Sequence, residues 1–248
     1  MAATLAIAEN AAGEYGDLRA FTPARIAQER AGTALATRET LAFALAHAQA
    51  RDAVHTALDV TLLADQLVAE AWPAPLLVSS AAPNRAAYLA RPDWGRRLSA
   101  TSQQTLDQAG GTASCDLVFV LSDGLSATAV QHNAVPLLAA LRPLLKGLTI
   151  APPVVASQAR VALADEVGAL LHAGIAISLI GERPGLSSPD SLGAYLTHAP
   201  QEGRNDAERN CISNIRPGGL PFAEAAQQLA LLIRAARTQR CSGVGLKL

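Results

Sequence analysis

The stretch LIGERPGLSSPD, Leu179–Asp190, joins the end of an apolar run to the start of a polar loop. The run IAISLI, residues 175–180, contains no charge and is closed by Gly181. This is the pattern of a buried strand in a parallel sheet. Because open α/β sheets bind ligands at the carboxyl ends of their strands, the loop that begins at Glu182 is expected to be functional.

Similar apolar runs recur from residue 75 onward and alternate with helical stretches. Strands are predicted in PLLVSS, CDLVFVLSDG, LTIAPPVV, IAISLIGERPG, AYLTHAP and NCISNI, and helices over residues 126–145, 163–173 and 221–240. This alternation predicts right-handed βαβ units around a mostly parallel sheet. The predicted fold class is α/β and Rossmann-like, with helices flanking the sheet, in a domain over residues 75–248.

Residues 17–74 are predicted to form an N-terminal helical arm, built from TRETLAFALAHAQARDAV and VTLLADQLVAEAW. Thr37 and Thr40 offer capping hydroxyls at the start of the first helix. Its apolar face is expected to contain Leu41, Leu45 and Ala48. Residues 1–16 have too much Ala and Gly for a defined apolar stripe and are predicted to be disordered or poorly ordered.

Composition excludes several classes of protein. Half of the 248 residues are hydrophobic and 17% are charged, so the chain is globular. The net charge of −1 and the scattered basic residues disfavour nucleic acid as a partner. The first residues contain no basic region, and no window of about 18 apolar residues occurs, so neither export nor membrane insertion is expected. Three separated cysteines without a CxxC motif indicate a reducing, cytoplasmic location.

Three motifs lie in or directly after predicted strands. In SDGLS, Asp123 or Ser126 could cap the next helix and leave N–H groups facing a ligand, although an ordinary cap has the same pattern. Glu182 could accept hydrogen bonds from amides or hydroxyls, or could form an ion pair with Arg183 or another arginine. Cys211, in ERNCISNIRPGGL, is by default a buried small apolar residue.

Motifs for independent catalysis are absent from the sequence. The five histidines have no metal-ligand spacing, so no metal site is expected. GxSxG, GxGxxG and GxxxxGK[ST] are also missing, which disfavours a serine hydrolase, a dinucleotide site and a triphosphate site. No catalytic residue is assigned.

Four motifs together, RPDWGRRL, SDGLSATAV, GERPGLSSPDSLGAY and ERNCISNIRPGGL, resemble the small subunit of ethanolamine ammonia-lyase from Leu18 to the C terminus. The resemblance implies an enzyme that uses adenosylcobalamin (coenzyme B12) to convert ethanolamine to acetaldehyde and ammonia. It implies a large TIM-barrel subunit that binds ethanolamine and carries the radical chemistry. The small subunit would cover the cobalamin from the other side, in a hetero-oligomer with several copies of each subunit.

The resemblance also implies three cobalamin contacts in this chain. Glu182 matches the glutamate of the family's GERPGL loop, and Cys211 matches the cysteine of its CISNI strand. Val161 matches a third contact, although Ala159 stands where the family has glycine before the intervening arginine. The DxHxxG motif of flavodoxin-like cobalamin domains is missing, so dimethylbenzimidazole would remain the lower cobalt ligand.

Two alternatives stay open at this point. The chain could be a stand-alone α/β protein, with Asp123 or Glu182 as a general base. It could also be a scaffold that retains no cobalamin even with the large subunit.

Some members of the family carry an amphipathic N-terminal extension that directs them into bacterial microcompartments, whereas the start of this chain has no such stripe. We therefore expect that deleting residues 1–12 leaves the ammonia-lyase activity of the complex with the large subunit unchanged. The measurement is cobalamin-dependent ammonia release by the truncated and the full chain. Failure of the truncated chain to assemble would show that the segment is structural.

Overall fold

The computed structural model describes Leu18, residues 20–110 and residues 113–247, so the prediction for residues 1–16 lies outside the described part. The strands are β1 Arg30–Ala31, β2 Ala34–Leu35, β3 Leu76–Ser79, β4 Cys115–Ser122, β5 Val154–Ser157, β6 Ala173–Gly181, β7 Leu192–His198 and β8 Arg209–Ile215. The helices are α1 Thr37–His55, α2 Val60–Ala69, α3 Arg85–Ala90, α4 Ala100–Gly110, α5 Ala127–Leu141, α6 Leu163–Leu170 and α7 Phe222–Gln239. Within this part of the chain, no helix is both long and apolar enough to cross a membrane.

The main sheet has six strands in the order β3-β5-β4-β6-β7-β8. The first four are parallel, and β7 and β8 are antiparallel to their neighbours. This confirms the α/β class with helices flanking a mixed sheet. The strand order differs from the 3-2-1-4-5-6 order of the standard dinucleotide-binding fold, so the Rossmann-like part of the expectation stays a prediction.

The sheet separates two apolar cores. One face packs against α2, α5 and α7 and includes Phe119, Ile177 and Leu196. The other packs against α4 and α6 and includes Val120 and Ala176. Burial on both faces explains why the central strands are continuous apolar runs, since each strand points alternate side chains into both cores.

Helices cover the second face of the sheet only in part. Leu192, Ala194 and Leu196 of β7 point into the first core, so Gly193, Tyr195 and Thr197 point to the other side. No described residue of β7 or β8 belongs to the second core. This side of the antiparallel strands is therefore left without a packed helix over much of its area.

The N-terminal arm differs from its prediction in three respects. Residues 20–36 contain no α-helix and include the short antiparallel strands β1 and β2. Helix α1 begins after Ala36 without a side-chain cap, and the Thr40 hydroxyl donates back to the Ala36 carbonyl. The expected capping by threonine is therefore wrong. Leu41 and Leu45 do lie on one face with Ala48, but their exposed fractions are 65% and 61%, so the described residues do not cover this face.

Three further differences concern elements after β3. Helices α3 and α4 were not predicted: α3 has six residues, and α4 has a mostly polar sequence, ATSQQTLDQAG. Strand β5 begins only at Val154, after two consecutive prolines. Proline cannot donate to a central strand ladder, which delays the start of the strand.

Asp123 joins three elements beneath the carboxyl edge of the sheet. It follows β4, is only 3% exposed, and accepts hydrogen bonds from the N–H groups of Gln158 (2.9 Å) and Ala159 (3.1 Å) after β5. Its carboxylate also pairs with Arg85 of α3, at 3.3 Å. Gln158 has a positive φ of 55°, so the carboxylate holds a strained turn in place.

We expect Asp123→Ala to lower the free energy of unfolding by about 3 kcal/mol, because it leaves the Gln158 and Ala159 N–H groups without their acceptor and removes the carboxylate that pairs with Arg85. Urea denaturation followed by circular dichroism measures the change. Asp93→Ala is the matched control, since Asp93 pairs with Arg91 at the surface and its loss should change little. Equal effects of the two substitutions would contradict this role of Asp123.

Candidate functional site

The loop after β6 is anchored to the beginning of helix α5. The Leu125 N–H donates to the Gly181 carbonyl (2.9 Å), and the Ser126 hydroxyl donates to the Pro189 carbonyl (2.8 Å). Ser126 also caps α5 by accepting from the Ala129 N–H. The predicted cap is therefore confirmed for Ser126, but the groups expected to face a ligand are largely used to hold the chain's own loop.

This anchoring requires two glycines. Gly124 has φ +55°, and a Cβ added there would lie 2.2 Å from the Gly181 carbonyl oxygen. A Cβ added to Gly181 would lie 2.0 Å from the Ser126 carbonyl oxygen. The turn after β4 and the end of β6 can pack this closely only because neither residue has a side chain.

Glu182 lies at the beginning of the loop with one carboxylate oxygen bound and the other open. Its Oε2 accepts from the Ser191 hydroxyl at 2.5 Å and from the Asn214 N–H at 3.2 Å. Oε1 accepts no hydrogen bond from any described residue. Neither Arg183 nor any other described arginine forms an ion pair with Glu182, so the ion-pair alternative is not supported here.

Glu182, Tyr195 and Cys211 converge on the side of the sheet that helices leave open. Tyr195 of β7 is directly opposite Cys211 of β8. A Cβ built on Gly193 would lie 2.9 Å from Tyr195 Cε2 and 3.0 Å from Glu182 Oε1. Both side chains thus occupy the space that glycine leaves free. We call Glu182, Gly193, Tyr195 and Cys211 the open face.

Cys211 is exposed, which corrects the expectation of a buried apolar residue. Ile212, the next residue, points into the first core instead, so the alternation of β8 turns the cysteine outward. Desolvation by neighbouring atoms raises the pKa of the Cys211 thiol, a hydrogen bond with Tyr195 lowers it, and the charge of Glu182 raises it, with a net increase. The thiol therefore remains a neutral contact group rather than a nucleophile.

Tyr195 is likewise held in its neutral form. Desolvation is the largest cause of its raised pKa, followed by interactions with Cys211 and Glu182. The phenol can therefore act as a hydrogen-bonding group and an aromatic surface, but not as a base. The open face combines one carboxylate with neutral side chains.

Val161 lies beside the open face, in a separate pocket of about 350 Å³ before helix α6. Four arginines line this pocket: Arg96, Arg160, Arg204 and Arg209. We call it the arginine pocket. Arg209 is two residues before Cys211 on β8 and therefore points to the same side of the sheet.

The structure thus places two of the three predicted contacts together and the third in the adjoining pocket. Sequence reasoning missed Tyr195, Ser191, Gly193 and the arginine pocket. Tyr195 was visible as the polar aromatic between Ala194 and Leu196 in an alternating strand. The arginine pocket had no such signal, because its members come from three separate segments.

Asp123 does not have the environment of a general base. Burial raises the pKa of its carboxyl group, against the lowering effects of the Gln158 N–H and the Arg85 guanidinium. Both of its oxygens accept hydrogen bonds from neighbouring residues. The described residues also contain no group of three or more His, Cys, Asp or Glu side chains placed to hold a metal ion.

Comparison with known proteins identifies the family. The family model described as ethanolamine ammonia-lyase light chain matches residues 12–247. A protein from Pseudomonas syringae pv. tomato, named ethanolamine ammonia-lyase small subunit, is 52% identical over 240 residues, which cover 95% of this chain and 83% of that protein. Proteins of the same name from Ralstonia nicotianae (53% identical, 93% of this chain and 86% of that protein) and Xanthomonas campestris pv. campestris (52% identical, 94% and 87%) are similarly close. The chain therefore belongs to the ethanolamine ammonia-lyase light chain family and is a lyase subunit.

Proposed function

We propose that this chain is the cofactor-binding small subunit of an adenosylcobalamin-dependent ethanolamine ammonia-lyase. Its relatives are named small subunits of ethanolamine ammonia-lyase. A small subunit implies a large subunit as its partner. The large subunit binds ethanolamine and carries the reaction to acetaldehyde and ammonia, and the small subunit covers the cobalamin. The observation that carries this proposal is the open face, where Glu182 Oε1 accepts no hydrogen bond from any residue that the structure describes.

The open face fits the rim of a corrin ring. The rim carries neutral amide side chains, whose N–H groups can donate to Glu182 Oε1, the oxygen that no described residue occupies. Such hydrogen bonds to an ionised acceptor are stronger than neutral ones. Tyr195 and Cys211 offer flat, neutral contact surface beside it, as is typical of sites for large cofactors.

The residues of this chain hold and cover the cofactor. When bound, adenosylcobalamin supplies the radical chemistry. Glu182 orients the corrin rim, Cys211 and Val161 provide small contact groups, and the Ser191 hydroxyl keeps the Glu182 carboxylate in place through the bond at 2.5 Å. No group in this chain is required to move a proton on the substrate.

A stand-alone enzyme is not favoured by the geometry. Asp123 is buried and its oxygens are occupied. Glu182 is already bound on Oε2 by two donors, the Ser191 hydroxyl and the Asn214 N–H, and the neighbouring Cys211 thiol is held neutral by its raised pKa. A general base needs access to a substrate proton and a suitable partner, and neither carboxylate combines the two.

We expect the isolated chain to release no ammonia from ethanolamine in the presence of adenosylcobalamin, because the substrate site belongs to the large subunit. The assay compares this chain alone, the large subunit alone and the reconstituted complex at the same cofactor concentration. Ammonia release by this chain alone would contradict its role as a non-catalytic subunit.

We expect Glu182→Ala to weaken binding of adenosylcobalamin to the assembled complex by roughly 10- to 100-fold, which corresponds to the loss of hydrogen bonds to a charged group. Turnover at saturating cofactor should change little, since Glu182 contacts only the rim. A spectrophotometric titration of the complex gives the affinity, and steady-state kinetics give the turnover.

Ser191→Ala is the matched control for this substitution. It removes the hydroxyl that holds Oε2 but leaves the carboxylate and its open oxygen. If Glu182 binds the cofactor directly, Ser191→Ala has a clearly smaller effect on affinity than Glu182→Ala. Equal losses would mean that Glu182 acts only by holding the loop, and an unchanged affinity of Glu182→Ala would remove it from the site.

A further inference from the structure

The arginine pocket carries positive charge that the described residues neutralise only in part. Arg204 pairs with Glu208, and Arg209 pairs with Asp165 and Asp206. Arg96 and Arg160 form no ion pair with any described carboxylate. Two guanidinium groups therefore face one concave site without a counter-ion, which favours an anionic occupant.

Two arginines of the pocket have buried nitrogen atoms to which no described residue offers an acceptor. Arg160 Nε and Arg209 Nε are buried and form no hydrogen bond within the described part of the chain, and the Arg209 side chain is only 2% exposed. Buried polar groups are nearly always hydrogen-bonded in folded proteins. An acceptor supplied by a ligand would satisfy them.

Arg160 is also fixed in its position. Its backbone N–H donates to the Gly95 carbonyl at 2.7 Å, and its guanidinium lies over the ring of Tyr88, 4.4 Å from the centroid. A side chain at Gly95 would collide with both Tyr88 and Arg160. The guanidinium is thus oriented before any ligand arrives, which reduces the entropic cost of binding.

We infer that the arginine pocket binds the phosphodiester of the cobalamin nucleotide loop. This inference rests on the proposed function, because it assigns a subsite beside the open face. The amide side chains at the corrin rim are neutral, and the phosphodiester is the peripheral group of the cofactor that carries a negative charge. Arginine forms forked, charge-assisted hydrogen bonds with phosphate oxygens, and Val161 of the same pocket is a predicted cobalamin contact.

Location supports the same occupant. The pocket and the open face lie on the same side of the sheet, since Arg209 and Cys211 share one side of β8. A cofactor with its corrin rim at Glu182 and Cys211 therefore has the pocket at its periphery. Helix α6 supplies Asp165 behind Arg209, which orients this guanidinium without closing the pocket.

The test uses three cofactor forms with the assembled complex of both subunits. Adenosylcobalamin contains the phosphodiester, adenosylcobinamide phosphate contains a phosphate but no base, and adenosylcobinamide contains neither. Arg96→Gln and Arg160→Gln should each weaken the two phosphate-containing forms by roughly 10- to 100-fold. The affinity for adenosylcobinamide should stay unchanged. Equilibrium titration by absorbance measures all three without depending on turnover.

Arg91→Gln is the matched control. Arg91 pairs with Asp93 at the surface, lies over the Trp94 ring and does not line the pocket. Arg91→Gln removes the same positive charge as the pocket variants, and its affinities for all three cofactor forms should stay at the wild-type values. Melting temperatures of the variant complexes, measured without cofactor, check that the arginine variants remain assembled.

Several outcomes would overturn the inference. Equal weakening of all three forms would mean that the pocket holds a carboxylate of the large subunit and acts through assembly. Inorganic phosphate could raise the melting temperature of the cofactor-free wild-type complex but not that of Arg96→Gln. If the affinities for the three cofactor forms are then the same in wild type and in both arginine variants, the pocket is a site for free phosphate. A wild-type complex that binds none of the three forms would refute the proposed function itself, whereas normal binding of adenosylcobalamin by both arginine variants would refute only the phosphate subsite.

Discussion

The change from parallel to antiparallel pairing after β6 determines which side of the sheet is left without a packed helix. A parallel connection needs a crossover, usually a helix, that covers the sheet, whereas antiparallel strands can be joined by a loop. The chain turns at Gly181 and returns as β7 after residues 182–191, with no helix between them. One side of β7 and β8 is consequently not packed by a crossover helix, and the open face lies there.

The same turn requires a rigid support. Asp123 fixes the ends of β4 and β5 through two backbone N–H groups, and Ser126 holds the loop through the Pro189 carbonyl. Buried, fully bonded polar groups of this kind specify one arrangement of the backbone, because any alternative leaves them unsatisfied. Asp123 and Ser126, which the sequence suggested as ligand-facing, therefore mainly hold the backbone of the site in position.

The charges of the site are divided between two neighbouring areas. Glu182 provides a carboxylate beside neutral Tyr195 and Cys211, whose pKa values are raised. The arginine pocket provides guanidinium groups, two of them without carboxylate partners among the described residues. Acceptor and donor areas on one side of a sheet suit a ligand with both amide and phosphate groups. A binding role in a two-subunit enzyme is consistent with this division.

The sequence by itself determined the α/β class, most helices and strands after residue 75, and the family, because these depend on local apolar periodicity and on contiguous motifs. It also placed Glu182 at the end of a strand. Only the tertiary structure decided that Cys211 is exposed, since the side of β8 that faces solvent depends on which strands the helices cover. Tertiary structure likewise determined three other features. These are the start of α1 without a side-chain cap, the hydrogen bond from Ser126 to the loop, and the exposure of Leu41 and Leu45. The arginine pocket could not be predicted from the sequence, because its residues come together only when β8, α6 and the segment after α3 pack against one another. The spacing of residues along the chain carries no information about such a contact.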